Sequence, residues 1–393
     1  LGVTGSIAVY KSLELTRLFI KAGAEVKIIM SDSAKKFVTP LTFETLTSNR
    51  VLDDTNESWT DNHNHIKIGE WADIFVVAPA TANTISKLSN AIADNILLQS
   101  ALAFSSEKVI APSANTNMLF NPIVQENLKK LQSSNYTLVG TQVKELACKT
   151  TGDGAMAEPL DIFWTTTRQL LKDEFWSNRS VIVTGGGTIE KIDDVRYLSN
   201  FSSGKMASSL ALALYCRGAQ VELIATRFEP NLPSLLSVTK VEETLEISSA
   251  IKRAREAFSQ EKKPYLFMAA AVSDFVPKNI QDGKLKKETL GDNWSLELTK
   301  NMDILKSIDK NGITVIGFKA EMDRASATTN ATNMLTNKNL DAVCLNVLKD
   351  SSSFGSDVNT IDFITHKGTN SLKTSDKLSL SFQIIKNAKN IKE

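Results

Sequence analysis

Hydrophobic residues in the first half of the chain alternate between two spacings. Apolar runs of strand length occur at four places, 1–4, 24–30, 72–80 and 108–114. Between them, apolar residues recur every three or four positions over 5–23, and the same spacing predicts one long helix over 81–104. Strands that alternate with helices favour a parallel sheet covered by helices on both faces.

The same alternation begins again after a charged and aromatic stretch at 171–180. Strands are predicted at 181–188, 219–226 and 265–272, with a helix over 204–218. The tail predicts a hairpin around Lys-Gly-Thr-Asn within 359–377, followed by an amphipathic helix. We therefore expect a first domain at 1–172, a linker at 173–179 and a second domain at 180–393.

Composition narrows the class of protein. The chain has 393 residues, which suits two domains, and its 45 basic and 44 acidic residues leave a net charge of +1. This balance gives no general attraction to nucleic acid or membranes. No apolar run approaches the roughly 20 residues that a membrane span needs. The abrupt opening, "LGVTGSIA", predicts that a few N-terminal residues are missing.

The three cysteines, Cys148, Cys216 and Cys344, are far apart in the sequence. Their number and spacing offer neither a disulfide framework nor a CxxC metal site. A reducing, cytoplasmic location fits this usage best.

Two glycine-rich turns follow predicted strands, "TGSIAVYK" at 4–11 and "TGGGT" at 184–188. Backbone N–H groups at the start of a helix attract phosphate, although each turn alone could be an ordinary connection. Neither turn matches GxGxxG, which disfavours an NAD-dependent dehydrogenase. Two such turns on parallel sheets favour phosphate-bearing ligands, because ligands bind there at the carboxyl ends of strands.

Three residues carry candidate chemistry in the first half. His65 precedes a predicted buried strand, Asn115 follows another strand, and Cys148 precedes a run of small residues and glycines. Each has an ordinary alternative, since a single histidine is more often structural and asparagine is common in turns. Their surroundings are "HIKIGEWAD", "PSANTNM" and "LACKTTGDGAMAEP".

With "GSIAVYK" and "VVAPATANTISKLSNAIADN", these segments resemble the flavin-dependent cysteine decarboxylases. Within that family they are similar to the phosphopantothenoylcysteine decarboxylase half of the bifunctional coenzyme A biosynthesis proteins. The resemblance implies a flavodoxin-like, doubly wound parallel sheet that binds FMN and assembles as trimers. It implies that His65 is the base at the flavin, Asn115 holds the substrate carboxylate and Cys148 donates a proton. The FMN contacts that it implies are Gly5, Ser6, Ile7, Ser31, Asp32, Ser33, Thr81, Ala82, Asn83, Thr84 and Ser113.

The segment 145–159 is then expected to fold over the substrate, with its glycines permitting that motion. Four positions depart from the family pattern: Ala114, Leu119, Lys149 and Ala155 stand where Met, Trp, Gly and Arg are usual. The missing arginine is expected to weaken the grip on an anionic substrate, and Lys149 is a candidate to compensate.

The second half has its own polar strand ends. Asn200 lies in a serine-rich turn whose simpler reading is a helix capped by Ser202 or Ser203, and Asp274 ends an apolar run. Lys284 follows in "KLKK", a cluster that is usually just solvated. An aspartate with nearby lysines is also what a metal-bound triphosphate requires.

These segments, together with "GFKAEM" and "FGSDVNTIDFIT", resemble phosphopantothenate–cysteine ligase, the other half of the same bifunctional family. The resemblance implies a second Rossmann-like α/β domain that uses CTP to convert 4′-phosphopantothenate into an acyl-cytidylate. The cysteine amine then gives phosphopantothenoylcysteine. Asn200 would steady the acyl-cytidylate, Lys284 would contact the triphosphate, and Asp274 would hold Mg²⁺ through the nucleotide. The CTP contacts that it implies are Met268, Ala269, Ala270, Asp274, Lys284, Met302, Asp303, Ile304, Leu305, Phe318 and Lys338.

Two departures affect this half: "NMDI" at 301–304 stands where the family has "NPDI", and Met334 replaces a family lysine four residues before Lys338. The predicted function is the two-step conversion of 4′-phosphopantothenate and cysteine into 4′-phosphopantetheine by a homo-oligomer with trimeric decarboxylase and dimeric ligase contacts. Two alternatives stay open: an FMN-dependent decarboxylase of peptide C-termini, and a flavin-binding regulatory protein with a weakened decarboxylase half. The sequence does not decide between CTP and ATP.

Overall fold

The structure, a computed structural model, describes residues 1–145, 149, 151–258, 262–286, 293–348 and 355–391. The chain divides into two compact units, Leu1–Leu170 and Leu171–Glu393. Residues 173–179, predicted as a linker, lie in the second unit, where the Trp176 side chain is fully buried.

A five-stranded parallel sheet forms the centre of the first unit, as far as the described residues show. Its strands are β1 Gly2–Val3, β2 Ile29–Met30, β3 Phe75–Ala80, β4 Lys108–Pro112 and β5 Tyr136–Leu138. The spatial order β2-β1-β3-β4-β5, with every pair parallel, is the order of flavodoxin-like sheets. Strand β3 is buried along its whole length, which explains why its sequence is a continuous apolar run.

Helices cover this sheet. They are α1 Val9–Lys21, α2 Pro40–Thr47, α3 His65–Trp71, α4 Ala82–Ser89, α5 Ile96–Ala103, α6 Thr116–Leu119, α7 Pro122–Gln132 and α8 Pro159–Leu171, with a 3-10 turn at Ala34–Lys36. Their apolar residues form buried clusters against the sheet, such as the one around Ile85, Leu97 and Ile110.

The single helix predicted over 81–104 is wrong, because the structure has two helices, α4 and α5. Between them Ala91 adopts φ 55°, a left-handed conformation that a continuous helix cannot contain. Asn95 then caps α5 by accepting a hydrogen bond from the N–H of Leu98 (3.0 Å), and Asp54 accepts one from Ile96 (2.7 Å). Local side-chain caps therefore override a helical periodicity that runs through the break.

A two-stranded antiparallel ribbon follows β5 in the first unit. Its strands are β6 Gln142–Glu145 and β7 Thr151–Ala155. The sequence suggested a loop here, so the ribbon is a difference from the prediction.

The second unit is built on a larger sheet with the order β12-β11-β8-β13-β16-β17-β19-β20 in the described part of the chain. These strands are β8 Ser180–Gly185, β11 Gln220–Ala225, β12 Ser237–Lys240, β13 Tyr265–Met268, β16 Thr314–Glu321, β17 Ala342–Val347, β19 Asp362–Thr365 and β20 Gly368–Ser371. Pairing is parallel from β12 to β17, and the two final strands are antiparallel. The last two strands are the hairpin predicted around Lys-Gly-Thr-Asn.

Short ribbons and five helices complete the described second unit. The ribbon strands are β9 Ile189–Lys191, β10 Tyr197–Ser199, β14 Phe275–Pro277, β15 Leu298–Lys300, β18 Val358–Asn359 and β21 Ser375–Asp376. The helices are α9 Lys205–Cys216, α10 Thr244–Glu256, α11 Ile304–Ser307, α12 Arg324–Asn337 and α13 Lys377–Lys389.

Two local expectations in the second unit need correction. The strand predicted over 265–272 ends at Met268, because the chain then turns so that Ala271 donates to the carbonyl of Gly186 (2.8 Å). Helix α9 begins after Gly204, which has φ 75°, and not after a serine cap. At this position a Cβ atom would lie 1.9 Å from the carbonyl oxygen of Arg227, so only glycine fits. Both departures occur where the sheet ends.

Candidate active sites

A polar cleft of about 570 Å³ opens at the carboxyl ends of the parallel strands in the first unit. Segments that follow four different strands meet there, as expected for a sheet of this order. All the residues predicted to contact FMN line this cleft except Ile7. The structure thus brings together residues that are up to about a hundred positions apart in the sequence.

Close backbone packing shapes this cleft. A Cβ atom on Gly5 would lie 2.4 Å from the Cβ of Ser33. The turn after β1 can therefore lie this close to the turn after β2 only with glycine at position 5. The Thr4 hydroxyl donates to the carbonyl of Pro79 (2.7 Å) and accepts from the N–H of Thr81 (3.2 Å). These contacts hold the ends of β1 and β3 side by side.

The lining fits a group that carries phosphate and an aromatic ring. The Ser31 hydroxyl is buried and has no hydrogen-bond partner among the described residues, which leaves it available to a ligand. The hydroxyls of Ser6 and Ser113 lie 2.9 Å apart, and the cleft faces the start of α4, which favours negative charge. A flavin mononucleotide matches this combination of hydroxyls, helix start and volume.

Several lining residues were not predicted. They are Thr4, Asp54, Lys87, Asp94, Asn95, Ala114 and Met118. Lys87 pairs with Asp94 (2.6 Å) across the break between α4 and α5, so the interrupted helix helps to form the cleft. The asparagine and aspartate residues at 90–95 were the signal in the sequence, because such residues favour caps and turns.

A second cleft of about 470 Å³ shares Ser6, Ser113 and Ala114 with the first. Ile7 and Asn115, two predicted site residues, line this cleft. Asn115 also caps α6, where its side chain accepts from the N–H of Asn117 (2.9 Å). A ligand in the second cleft would therefore lie next to one in the first.

Lysines surround the position of the missing arginine, Ala155, which lines the second cleft. Lys11 and Lys144 line it too, and both bind Glu158, with Lys11 Nζ 3.2 Å from Oε1. Burial opposes ionisation of this carboxyl, but the bonds from the two lysines outweigh it and hold the pKa of Glu158 below its ordinary value. Lys149, the predicted replacement, is exposed.

The glycines of the ribbon have a steric role that the sequence did not reveal. A Cβ on Gly152 would lie 2.3 Å from the Thr116 hydroxyl, and one on Gly154 would lie 2.2 Å from the carbonyl oxygen of Ala114. These glycines let β7 pack directly against the segment that carries Asn115. Cys148, the predicted proton donor, lies outside the described residues.

His65 begins helix α3 and is not among the residues that line either cleft. Its Nδ1 lies 2.7 Å from Oε1 of Glu57, and the Trp59 ring meets the imidazole edge-on. The carboxylate orients the ring, as expected for a catalytic base, but its role at the flavin remains a prediction.

A smaller cavity, of about 160 Å³, lies at the carboxyl ends of the parallel strands in the second unit. Three of the predicted nucleotide contacts, Ala269, Ala270 and Phe318, line it, as do Gly186 and the start of α9. Asn200 lies close by, since its amide donates to the carbonyl of Ala271 (3.4 Å). The turn "TGGGT" thus forms part of a cavity, as the sequence suggested.

Other residues predicted to contact the nucleotide do not line this cavity. Met268, Ile304 and Leu305 are buried in the hydrophobic core, and Met302 packs against it. These side chains do not line the cavity, because the strand and helix that carry them turn them inwards. Asp303 pairs with Lys338 (2.9 Å), so these two predicted contacts neutralise one another here.

The two charged residues predicted to handle the triphosphate are both exposed, and neither lines the cavity. Asp274 ends the segment after β13, and its carbonyl accepts from the N–H of Asn301 (2.8 Å). Lys284 lies in a segment whose backbone is fixed on both sides. The N–H of Gly283 donates to Asp194 (2.9 Å) and that of Leu285 donates to Asp193 (3.1 Å).

Asp193 is a positioning residue that the sequence analysis missed. Its side chain is fully enclosed and accepts from the N–H groups of Val195 (2.8 Å) and Arg196 (2.6 Å) as well as Leu285. Burial opposes ionisation, but these backbone bonds outweigh it and lower the pKa of the carboxyl. The pair of aspartates at 193–194 was the available signal, because aspartate favours such turns.

The described residues give no indication of a metal cluster or of a membrane-spanning helix. The described residues contain no group of three or more His, Cys, Asp or Glu side chains placed to bind a metal ion. Burial raises the pKa of Cys344, and the Cys216 side chain is also buried. Among the described helices, none is long and apolar enough to cross a bilayer.

Comparison with known proteins places the chain in a family. A family described as Flavoprotein matches residues 1–171, and the DNA/pantothenate metabolism flavoprotein C-terminal domain matches 176–391. The coenzyme A biosynthesis bifunctional protein CoaBC of Bacillus subtilis is 36% identical over 391 residues, which cover 98% of this chain and 94% of that protein. Its counterpart from Borreliella burgdorferi is 34% identical over 392 residues, covering 98% and 97%.

Among solved structures, the chain is similar to the FMN binding protein AtHal3, with 32% sequence identity and a TM-score of 0.37. The match covers 42% of this chain and 91% of the AtHal3 chain.

The fold and the matched families define a flavoprotein domain followed by a second Rossmann-like domain. The chain belongs to the family of coenzyme A biosynthesis bifunctional proteins. These comparisons confirm four predictions: the family, the fold class, the flavin cofactor, and the function as a bifunctional enzyme of coenzyme A biosynthesis. The roles of individual site residues stay predictions.

Proposed function

We propose that the chain carries out two consecutive steps on one substrate. The second unit joins cysteine to 4′-phosphopantothenate through an acyl-cytidylate formed from CTP with Mg²⁺. The first unit decarboxylates the product, phosphopantothenoylcysteine, to 4′-phosphopantetheine. The observation that carries this proposal is that each unit has its own cleft at the carboxyl ends of a parallel sheet, lined in part by the residues predicted for its ligand.

In the proposed decarboxylation, FMN supplies a reversible acceptor for the electron pair of the substrate thiol, which makes the neighbouring carbon–carbon bond cleavable. Ser31, Ser6 and the start of α4 would hold its phosphate and ring system. Asn115, in the adjoining cleft, would bind the substrate carboxylate. Cys148 would deliver a proton to the carbon from which carbon dioxide leaves.

In the proposed ligation, three polar residues of the second unit would stabilise the charges of the nucleotide and of the acyl-cytidylate. Asn200 would steady the acyl-cytidylate from its place beside Ala271. Lys284 would stabilise the negative charge that develops on the triphosphate, with its backbone held by Asp193 and Asp194. Asp274 would meet the nucleotide through Mg²⁺, because carboxylate oxygen is a preferred ligand of that ion.

The decarboxylating unit is proposed to act as a homo-oligomer. Large apolar side chains near the second cleft are exposed, notably Ile7 and Tyr10, which is typical of a surface covered by another chain. Since His65 lines neither cleft of its own chain, we propose that it reaches the cleft of a neighbouring copy. We also propose a cytoplasmic location, because the thiol substrates must stay reduced.

A coupled assay tests this function. Purified protein with bound flavin is incubated with cysteine, 4′-phosphopantothenate and either CTP or ATP, and pyrophosphate and carbon dioxide are measured separately. We expect both products with CTP, and carbon dioxide alone when phosphopantothenoylcysteine is supplied. Pyrophosphate without carbon dioxide would point to the regulatory alternative for the first unit. Carbon dioxide only from a peptide with a C-terminal cysteine would point to the other decarboxylase.

A further inference from the structure

A buried carboxylate in the second unit has no part in the function so far described. Glu190, in the ribbon strand β9, is only 7% exposed. Its Oε1 accepts hydrogen bonds from the N–H (3.3 Å) and from the hydroxyl (2.5 Å) of Thr244, the first residue of α10. Burial of a carboxylate is costly, and its partners must compensate for the lost hydration. These two bonds and the positive end of the α10 dipole provide that compensation.

Capping of α10 does not account for the burial of Glu190. The carboxylate of Glu246, two residues after Thr244, accepts hydrogen bonds from the N–H groups of Glu242 (2.6 Å) and Glu243 (3.3 Å). Glu246 is exposed, so it serves the start of the helix without the cost of burial. The position of Glu190 therefore needs another explanation.

A chain of hydrogen bonds leads from Glu190 to Asn301. A carboxylate accepts hydrogen bonds and donates none, so the proton of the Thr244 hydroxyl must point towards Glu190. The hydroxyl oxygen is then left to accept, and the amide of Asn301 donates to it (2.8 Å). This arrangement turns the amide nitrogen of Asn301 towards Thr244, and its oxygen accepts from the N–H of Met302 (2.7 Å). Glu190 thus sets the direction of every bond in the chain.

Asn301 holds the segment that ends in Asp274. Its amide donates a second hydrogen bond to the carbonyl of Ser273 (2.8 Å), and its backbone N–H donates to the carbonyl of Asp274 (2.8 Å). The hydroxyl of Thr188, in the glycine turn after β8, accepts from the N–H of Ser273 (3.1 Å). Strand β13 already ends at Met268, so Ser273 depends on these two side chains for its position.

We propose that Glu190 is a positioning residue for the ligation reaction. It acts through Thr244 and Asn301, and it fixes the backbone of Asp274, which would meet the nucleotide through Mg²⁺. The inference rests on the function proposed for the second unit. Removal of a group that lies behind a metal-binding carboxylate typically lowers metal affinity or activity by about 10- to 100-fold. Loss of Glu190 should therefore weaken the binding of Mg-CTP more than it weakens the fold.

Two substitutions of Thr244 separate the hydrogen bond from the packing of the same side chain. Valine keeps the shape of threonine without its hydroxyl, whereas serine keeps the hydroxyl. In the flavin-loaded, full-length protein, we expect Thr244→Val to raise the Kd of Mg-CTP, measured by isothermal titration, by about 10- to 100-fold. The KM for Mg-CTP in pyrophosphate formation should rise with it, while the KM for cysteine should not change. Thr244→Ser should stay close to the wild type.

Glu190→Ala should have the same effect as Thr244→Val. The double variant should lose no more affinity than either single variant, because both changes interrupt one chain of hydrogen bonds. If Glu190→Ala does not fold, Glu190→Met, which fills the same space without an acceptor, takes its place. Glu246→Ala is the matched control, because it weakens the start of α10 without a described contact to Asn301. It should lower the Tm and leave the Kd of Mg-CTP unchanged.

Amide hydrogen exchange in the nucleotide-free protein gives a readout that does not depend on the reaction. The N–H groups of Asn301 and Met302 should exchange faster in Thr244→Val and Glu190→Ala, but not in Glu246→Ala. A wild-type Kd for Mg-CTP in folded Glu190→Ala or Thr244→Val would overturn the inference, as would an equal loss in Glu246→Ala. If the wild type binds no Mg-CTP, the proposed ligation fails instead. Exchange rates that match the wild type would then refute the positioning role by themselves.

Discussion

The ligand clefts of the two units are built in different ways. The cleft of the first unit is large, about 570 Å³, and its wall is mainly hydroxyls, amides and backbone, with Lys87 already paired to Asp94. The cavity of the second unit is smaller, about 160 Å³, and keeps a buried lysine without a partner among the described residues. The first arrangement suits a cofactor that stays bound, whereas the second suits anions that enter and leave.

In both units, the sheet forms a scaffold and the connecting segments carry the residues predicted to react. In both, the residues that line the clefts follow the ends of buried strands. The predicted proton donor, Cys148, and the predicted triphosphate contact, Lys284, lie on connecting segments. Loops positioned by a rigid sheet commonly carry the reactive groups. Mutations should therefore separate binding from chemistry within each unit, and one unit from the other.

The largest expected effect is that of Cys148→Ser on the first unit. Loss of a positioned proton donor should slow carbon dioxide release from phosphopantothenoylcysteine by about 10²- to 10⁴-fold. Flavin absorbance and pyrophosphate formation should be unchanged, because neither depends on this thiol. Cys216→Ala, which removes a buried thiol in the second unit, is the control. Decarboxylation at the wild-type rate in Cys148→Ser would remove the role assigned to this residue.

Lys284→Gln is the corresponding change in the second unit. Removal of a charge aimed at the triphosphate should lower pyrophosphate formation by about 10²- to 10³-fold. Decarboxylation of supplied phosphopantothenoylcysteine should continue normally. Lys278→Gln is a matched control, because Lys278 is exposed and pairs only with Glu297 (3.2 Å) among the contacts described. Equal losses in both variants would argue for a general charge effect instead of a specific contact.

Gly5→Ala tests the shape of the first cleft. The added methyl group would meet Ser33 at 2.4 Å, which should cost about 1–3 kcal/mol and displace the turns that hold the flavin. We expect protein purified without added FMN to contain much less flavin, measured by its absorbance. Gly69→Ala is the control, since a Cβ there has no neighbour within 4 Å. Full flavin content in Gly5→Ala would show that the close approach is not required.

The smallest expected effect concerns pH. Because the pKa of Glu158 is held below its ordinary value of 4.5, its ionised form stabilises the first unit above that pH. This contribution should disappear as the pH falls through the lowered pKa. Between about pH 3 and pH 6, the temperature of flavin release should depend less on pH in Glu158→Gln than in the wild type. Glu70→Gln, which removes an exposed carboxylate on α3, should retain the wild-type dependence.

Sequence patterns predicted elements well where a single interaction dominates. Strand β3 is buried on both faces, so its apolar run indicated its position, and Asn115 became a candidate because it follows another such run. The break in 81–104 was missed because the caps at Asn95 and Asp54 act against a helical spacing that continues through them. Met268, Ile304 and Leu305 were assigned to the nucleotide by resemblance, but they face the core. A motif identifies positions, and it does not say which way each side chain points.

The sequence by itself determined the two α/β halves, their order along the chain and the glycine turns at which ligands are expected, because periodicity and turn chemistry are local properties. Only the tertiary structure decided which distant polar groups come together. Asp193 reaches Leu285 across some ninety residues, and Lys377 enters the cavity built by the turn at Gly186 and the start of α9. Such contacts depend on where a sheet brings distant segments together and on which buried groups are left without a partner. Neither of these features can be predicted from residues that are neighbours in the sequence.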